Sequence, residues 1–335
     1  MVDGLDLDAL AGHLAPWTGG RPATLSAEFV TGGKSNLTYR VTDGVHRWIV
    51  RRPPLGHVLA TAHDMGREHR VMDALAPTTV PVPAMVTLCQ DDSVIGAPFY
   101  VMDEVDGDVL RDEGDLHHLS GEQRADLAHR LIDILVDLHA IEPERVGLAD
   151  FGRPDGFTER QVRRWTRQLD QSRSRDIPGI EQLATRLAAD VPASQRGTIV
   201  HGDYRLDNLI VQRDGTEVLA VIDWEMAALG DPLCDLGLLP VYADPVPGVV
   251  GLIEGRMSPD NGFPAISELF ERYADRSGLD LTPLPWYRAL GYYKLAVILE
   301  GIHYRYVHGQ TVGAGFDRVG EAVAPLVAAG LEQLG

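Results

Sequence analysis

The strongest chemical signal in the chain is the run His201-Gly-Asp203-Tyr-Arg-Leu-Asp-Asn208, followed further along by Ile222-Asp223-Trp224-Glu225. Phosphoryl transfer needs a carboxylate to orient the attacking hydroxyl, and oxygen ligands for a magnesium ion that neutralises the phosphates. Asp203 can supply the first, and Asn208 with Asp223 the second. Between them, LIVQ and EVLAVI read as antiparallel strands joined by the turn RDGT. Such a hairpin sets the start of one strand beside the end of the other, so that Asn208 and Asp223 can converge on one metal. A lone aspartate or asparagine is most often a turn or cap residue, so the signal lies in the combination.

The surrounding elements fit the task of holding such a site. Residues 25–52 alternate in hydrophobicity through LSAEFV, LTYRV and VHRWIVRR, with TGGKSN and DG between them, which predicts three antiparallel strands. Residues 61–76 place Met65, Val71, Met72 and Leu75 at helical spacing, PTTVPVP reads as an extended connector, and AMVTLC and PFYVMDEV as two more strands. From Ser120 onward helical patterns dominate. SGEQ is a capping-box signature ahead of a helix whose Leu127, Leu131, Leu135 and Leu138 share one face. The expected division is an N-lobe over 1–102, a hinge over 103–108 and a helical C-lobe over 109–335.

Composition narrows the function classes. At 335 residues, with 44% apolar and 24% charged residues, the chain reads as a globular protein of two lobes. A net charge of −19 argues against a nucleic-acid surface and is compatible with a cationic ligand, though acidic residues serve solubility equally well. No apolar run is long enough to span a membrane and the N-terminus lacks a basic leader, so the expectation is a cytoplasmic protein with no membrane partner. Cys89 and Cys234 are too isolated for a disulfide framework, and no histidine besides His201 sits in ligand spacing.

HGDYRLDN and IDWE resemble the catalytic loop and metal-binding aspartate of protein kinases, in the form used by aminoglycoside phosphotransferases and choline kinases. More narrowly, the run through VIDWEMAALGDPLCDLG resembles phosphotransferases related to the kinase-like domain of some acyl-CoA dehydrogenases. The resemblance implies an α+β, bilobal protein-kinase-like fold, with a small antiparallel β N-lobe and a larger helical C-lobe. It also implies ATP and Mg2+ as cofactors and a small-molecule hydroxyl acceptor as partner. By that likeness Asp203 is the catalytic base, Asn208 and Asp223 are metal ligands, and His201 braces the loop.

The same likeness extends upstream. Thr31-Gly32-Gly33-Lys34-Ser35-Asn36 lies where backbone amides cover nucleotide phosphates, although its spacing is neither a Walker loop nor the protein-kinase glycine pattern. Arg51 stands where the family usually carries a third-strand lysine, with Glu68 as its ion-pair partner, and alternation puts Arg52 on the other face. Met102 would back the purine, and the backbone of Asp103, Glu104 and Val105 would hydrogen-bond it. Asp231 and Asp235 read as helix caps or braces of the metal loop. Arg160, Arg163, Arg164 and Arg167 share a predicted helix that is either a solvated face or an anion anchor. A protein kinase is disfavoured because Trp224-Glu225 replaces Phe-Gly. The acceptor readings are a hydroxyacyl-CoA or other hydroxylated metabolite, or an aminoglycoside, with a catalytically silent nucleotide-binding module as the non-enzymatic alternative.

Overall fold

The computed structural model describes residues 4–20, 22, 24–30, 36–55, 64–243, 246, 257–310 and 316–335. Contacts gather into two units, Met1–Gly107 with Leu219–Glu225, and Asp108–Val218 with Met226–Gly335. The first is built on an antiparallel sheet and the second is mainly helical, an α+β architecture.

The first unit begins with α1, Leu7–Leu14, whose N-terminal amides are capped by the Asp6 carboxylate. Strands β1 (Ser26–Phe29), β2 (Leu37–Thr42) and β3 (Arg47–Arg52) follow, then helix α2 (Met65–Leu75), β4 (Met85–Cys89) and β5 (Phe99–Asp103). The sheet order is β1-β2-β3-β5-β4, with every neighbouring pair antiparallel. Period-two alternation sorts the side chains. Tyr39 pairs with Val50 and Val41 with Trp48, and these join Phe99, Val101, Leu10 and Leu14 in one core between the sheet and α1. The opposite face carries Arg51, paired with Tyr100, toward Glu68 of α2.

In the second unit the Gly121–Ala140 helix starts at the expected capping box, in which Ser120 and Gln123 satisfy each other's backbone amides. Leu127, Leu131, Leu135 and Leu138 are fully buried. Strand Thr198–Val200 packs beside this helix and pairs antiparallel with Ala228–Gly230. The 24-residue helix Leu284–Val307 is buried nearly all round, between Phe157–Ser172, Leu233–Ala243 and Val323–Gln333. Gly237 permits its close crossing with Leu233–Ala243, since a Cβ there would lie 2.6 Å from the Tyr287 carbonyl carbon. No described helix is long and apolar enough to cross a membrane.

Candidate phosphotransfer site

In the first unit, β3 and α2 assemble a charged cluster. Arg51 Nη2 meets Asp223 Oδ1 at 2.6 Å, and its Nε lies 3.3 Å from Glu68 Oε2. Glu68 is buried and also accepts from Tyr100 Oη at 2.9 Å and Asn36 Nδ2 at 3.0 Å. Burial pushes its carboxyl above the ordinary value, and Arg51 offsets only part of that rise. Asn36 Nδ2 also lies 3.2 Å from Glu225 Oε2, so this amide is engaged with carboxylates. Gly32, Gly33, Lys34 and Ser35 lie outside the described residues.

Arg52 points to the other face, where it is buried and donates to the Ile95 and Pro53 carbonyls at 2.8 and 3.3 Å and to the Gly4 carbonyl. Asp223 has φ of 65°, the only positive value outside glycine among the described residues. This left-handed geometry costs on the order of 1 kcal/mol. The buried Trp224 beside it, whose Nε1 donates to Val221 O at 2.9 Å, helps hold that turn.

Met102 is buried on β5, opposite Ile49 of β3 and Met85 of β4. The next two backbone amides are already committed: Asp103 N–H donates to Ala84 O at 2.9 Å and Glu104 N–H to Arg47 O at 3.0 Å. Backbone recognition of a purine at 103–105 is thereby narrowed to carbonyl groups and the Val105 amide, because the sheet consumes the other two donors.

In the second unit, the strand Thr198–Val200 delivers the loop His201–Asn208. Asp235, buried on the Leu233–Ala243 helix, accepts His201 N–H and Gly202 N–H, each at 2.7 Å. His139 Nε2 sits 3.2 Å from the same carboxylate, and its Nδ1 contacts Tyr273 Oη at 2.7 Å. Asp235 is thus a brace of the His201–Asn208 loop, whereas Asp231 is the helix cap, accepting Leu233 N–H at 2.9 Å and Tyr287 Oη at 2.8 Å. Gly202 has φ of 84°, and a Cβ there would meet Met226 O at 2.6 Å, so only glycine fits. Tyr204 fastens the loop to the Gly121–Ala140 helix by donating to Leu131 O at 2.8 Å.

Within this loop Asp203 is flanked by polar groups. Tyr242 Oη donates to its Oδ1 at 2.8 Å, Arg205 Nε lies 3.4 Å from its Oδ2, and Arg205 stacks over the Tyr242 ring at 4.9 Å. Burial would raise the Asp203 carboxyl, but Arg205, Lys294 and the Tyr242 hydroxyl outweigh it and hold the group below its ordinary value. Asp203 is therefore an anionic acceptor at neutral pH. Asn208 Nδ2 donates to Asp203 O at 2.8 Å and approaches Oδ2 at 3.3 Å, which orients the amide and leaves its oxygen as the potential ligand.

Each unit carries an oxygen donor of the kind a hard cation takes: in the second the Asn208 amide oxygen, and in the first the one-third-exposed Asp223 carboxylate, with Arg51 at one of its oxygens. Among the described residues no group of three or more His, Cys, Asp or Glu side chains gathers as a metal site. Tyr242 and Lys294 were not singled out from the sequence. Tyr242 left no signal there. Lys294 did leave one, since Lys34 and Lys294 are the only lysines among 30 Lys and Arg residues.

Residues 26–257 match the model of the phosphotransferase enzyme family. The human acyl-CoA dehydrogenase family member 11 is 33% identical over 323 residues, which cover 96% of this chain and 41% of that protein. The chain thus spans about two fifths of the length of that curated relative. A crystal structure from Ralstonia eutropha, described as an aminoglycoside phosphotransferase, aligns at 32% identity over 98% of each chain with a TM-score of 0.82. The GDP complex of an aminoglycoside 2′-phosphotransferase aligns at 15% identity and a TM-score of 0.59, covering 95% of this chain and 96% of that one, a likeness of fold alone.

Proposed function

We propose, from the premise that the chain belongs to the phosphotransferase enzyme family, that it is a small-molecule kinase transferring the γ-phosphoryl group of ATP to a substrate hydroxyl. The observation that carries this reading is the braced loop in which Asp203 is held anionic beside an oriented Asn208. Asp203 would orient the acceptor hydroxyl and receive its proton as the new P–O bond forms. Asn208 and Asp223 would hold magnesium, which when bound neutralises the phosphate charge. Arg51, backed by Glu68, would steady the phosphates with its forked donors, and Gly32, Gly33, Lys34, Ser35 and Asn36 would cover them. Met102 to Val105 would receive the purine, with 103–108 as hinge between an N-lobe at 1–102 and a C-lobe at 109–335. Positioning and electrostatics, rather than a covalent intermediate, carry such a reaction.

For the acceptor, the relation to acyl-CoA dehydrogenase family members supports a hydroxyacyl-CoA or another neutral or anionic hydroxylated metabolite. The relation to the Ralstonia protein supports the second reading, an aminoglycoside. A mass-resolved screen of hydroxyacyl-CoAs, hydroxylated metabolites and aminoglycosides with MgATP separates them. Phosphorylation of kanamycin-type compounds with a micromolar Michaelis constant, together with indifference to hydroxyacyl-CoAs, would reverse the preference. Absence of phosphotransfer to any of them, and of any ATP hydrolysis, would leave a silent nucleotide-binding module.

A further inference from the structure

The peptide joining Gly202 to Asp203 sets the direction in which the catalytic carboxylate leaves the backbone, and both of its polar ends are bonded. Asp203 N–H donates to His201 Nδ1 at 3.2 Å. The Gly202 carbonyl accepts from Lys294 Nζ, which reaches it from the middle of the Leu284–Val307 helix. On the other side of the same glycine, N–H is held by Asp235. Glycine has the widest backbone freedom of any residue, so these bonds are what remove it.

Lys294 is an unusual residue for its place. Tyr293, Leu295, Ala296 and Val297 around it are buried, and a cation in such a helix is costly unless it is paired. Its ammonium lies 5.7 Å from the centroid of the Trp165 ring, within cation–π range. Burial lowers its affinity for the proton, while the carboxylates of Asp203 and Asp235 work to keep it charged. The other cations of the chain, apart from Lys34, are arginines.

We propose that Lys294 is a positioning residue of the phosphotransfer site: by holding the Gly202 carbonyl it fixes the aim of the Asp203 carboxylate. This rests on the kinase reading above. The mechanism predicts an effect on the chemical step, with little on nucleotide binding, because Lys294 touches the loop backbone and not a proposed nucleotide contact.

The test uses the whole chain, with MgATP as probe and ADP release as readout. Lys294→Met keeps the length and removes the ammonium. It is expected to lower kcat by at least about tenfold with the KM for MgATP within about twofold, the signature of misplaced reacting groups. Lys294→Arg is expected to recover part of that loss. An unchanged kcat in a folded Lys294→Met variant overturns the proposal, as does a loss that tracks a lowered unfolding midpoint and is not restored by arginine. A second measurement needs no turnover and no Lys294 variant. With only two lysines in the chain, Nζ labelling gives two NMR signals, and Lys34→Arg identifies the one from Lys294, which Asp203→Asn is expected to move. A signal indifferent to that change overturns the proposal. Absence of any ADP release from the wild type with every acceptor tried would instead sink the kinase reading, and the labelled signal then judges the Lys294 contact by itself.

Discussion

Tyr242 donates its hydroxyl to Oδ1 of Asp203 at 2.8 Å, on a carboxylate that an acceptor hydroxyl would have to approach. The phenol therefore stands where a substrate hydroxyl or a water would compete. Tyr242→Phe frees that oxygen while keeping the ring beneath Arg205. The expected outcome is a rise of about three- to tenfold in acceptor-independent ATP hydrolysis, a gain of roughly 1 kcal/mol at the barrier. It is measured as ADP release without acceptor. A fall would show that the hydroxyl serves to orient Asp203 instead.

Asp203→Asn retains the shape and loses the anion. Turnover should drop by on the order of 10²-fold or more while nucleotide affinity holds, since proton acceptance and hydroxyl orientation act on the chemical step. Steady-state kinetics and a direct nucleotide titration check the two halves separately. Near wild-type turnover would remove Asp203 from the mechanism.

Asp223→Ala removes both an anionic oxygen and the closest partner of Arg51. Magnesium-dependent nucleotide binding is expected to disappear, leaving whatever weak affinity the nucleotide has without metal. Titrations with and without magnesium report it, and equal affinities in variant and wild type would contradict the assignment.

The two adjacent arginines should separate cleanly. Arg51→Ala is expected to raise the KM for MgATP more than Arg52→Ala does. Arg52→Ala should instead lower the unfolding free energy by about 2–4 kcal/mol, because it leaves the buried carbonyl of Ile95 and the partly buried carbonyl of Gly4 without their donor. The reverse order of effects would mean that Arg52 serves the nucleotide.

That the two arginines point to opposite faces was legible in the sequence, because strand side chains alternate with period two, while the choice of Arg51 for the cluster came from the family resemblance. The Ser120 capping box was equally legible, being a contact between residues three apart. The loop's supports were harder to read. Asp235, Tyr242 and Lys294 reach His201, Gly202 and Asp203 only after helices distant in sequence have packed, and nothing local encodes which side chain arrives. Asn36 was read by position as part of a loop whose backbone amides cover phosphate, and nothing local showed that its side-chain amide bonds Glu68 and Glu225. Likewise the alternation of PFYVMDEV revealed a strand but not that the sheet consumes the amides of Asp103 and Glu104.

Glu68 provides a test of the charged cluster that needs no nucleotide. Burial raises its carboxyl above the ordinary value of 4.5, even with Arg51 alongside. The folded chain therefore keeps the Glu68 proton to higher pH than the unfolded chain does. Between those two values the folded state binds more protons, so the contribution of this group to the unfolding free energy falls as pH rises from about 4.5 through the raised folded value, then levels off. Glu68→Gln removes the titration while its amide oxygen can still accept from Tyr100. Denaturant midpoints measured from pH 4 upward should then decline less in the variant than in the wild type, with the difference confined to the window that opens near the ordinary carboxylate value. Parallel pH dependences would show that Glu68 titrates alike in the folded and unfolded chain, and that Arg51 compensates its burial in full.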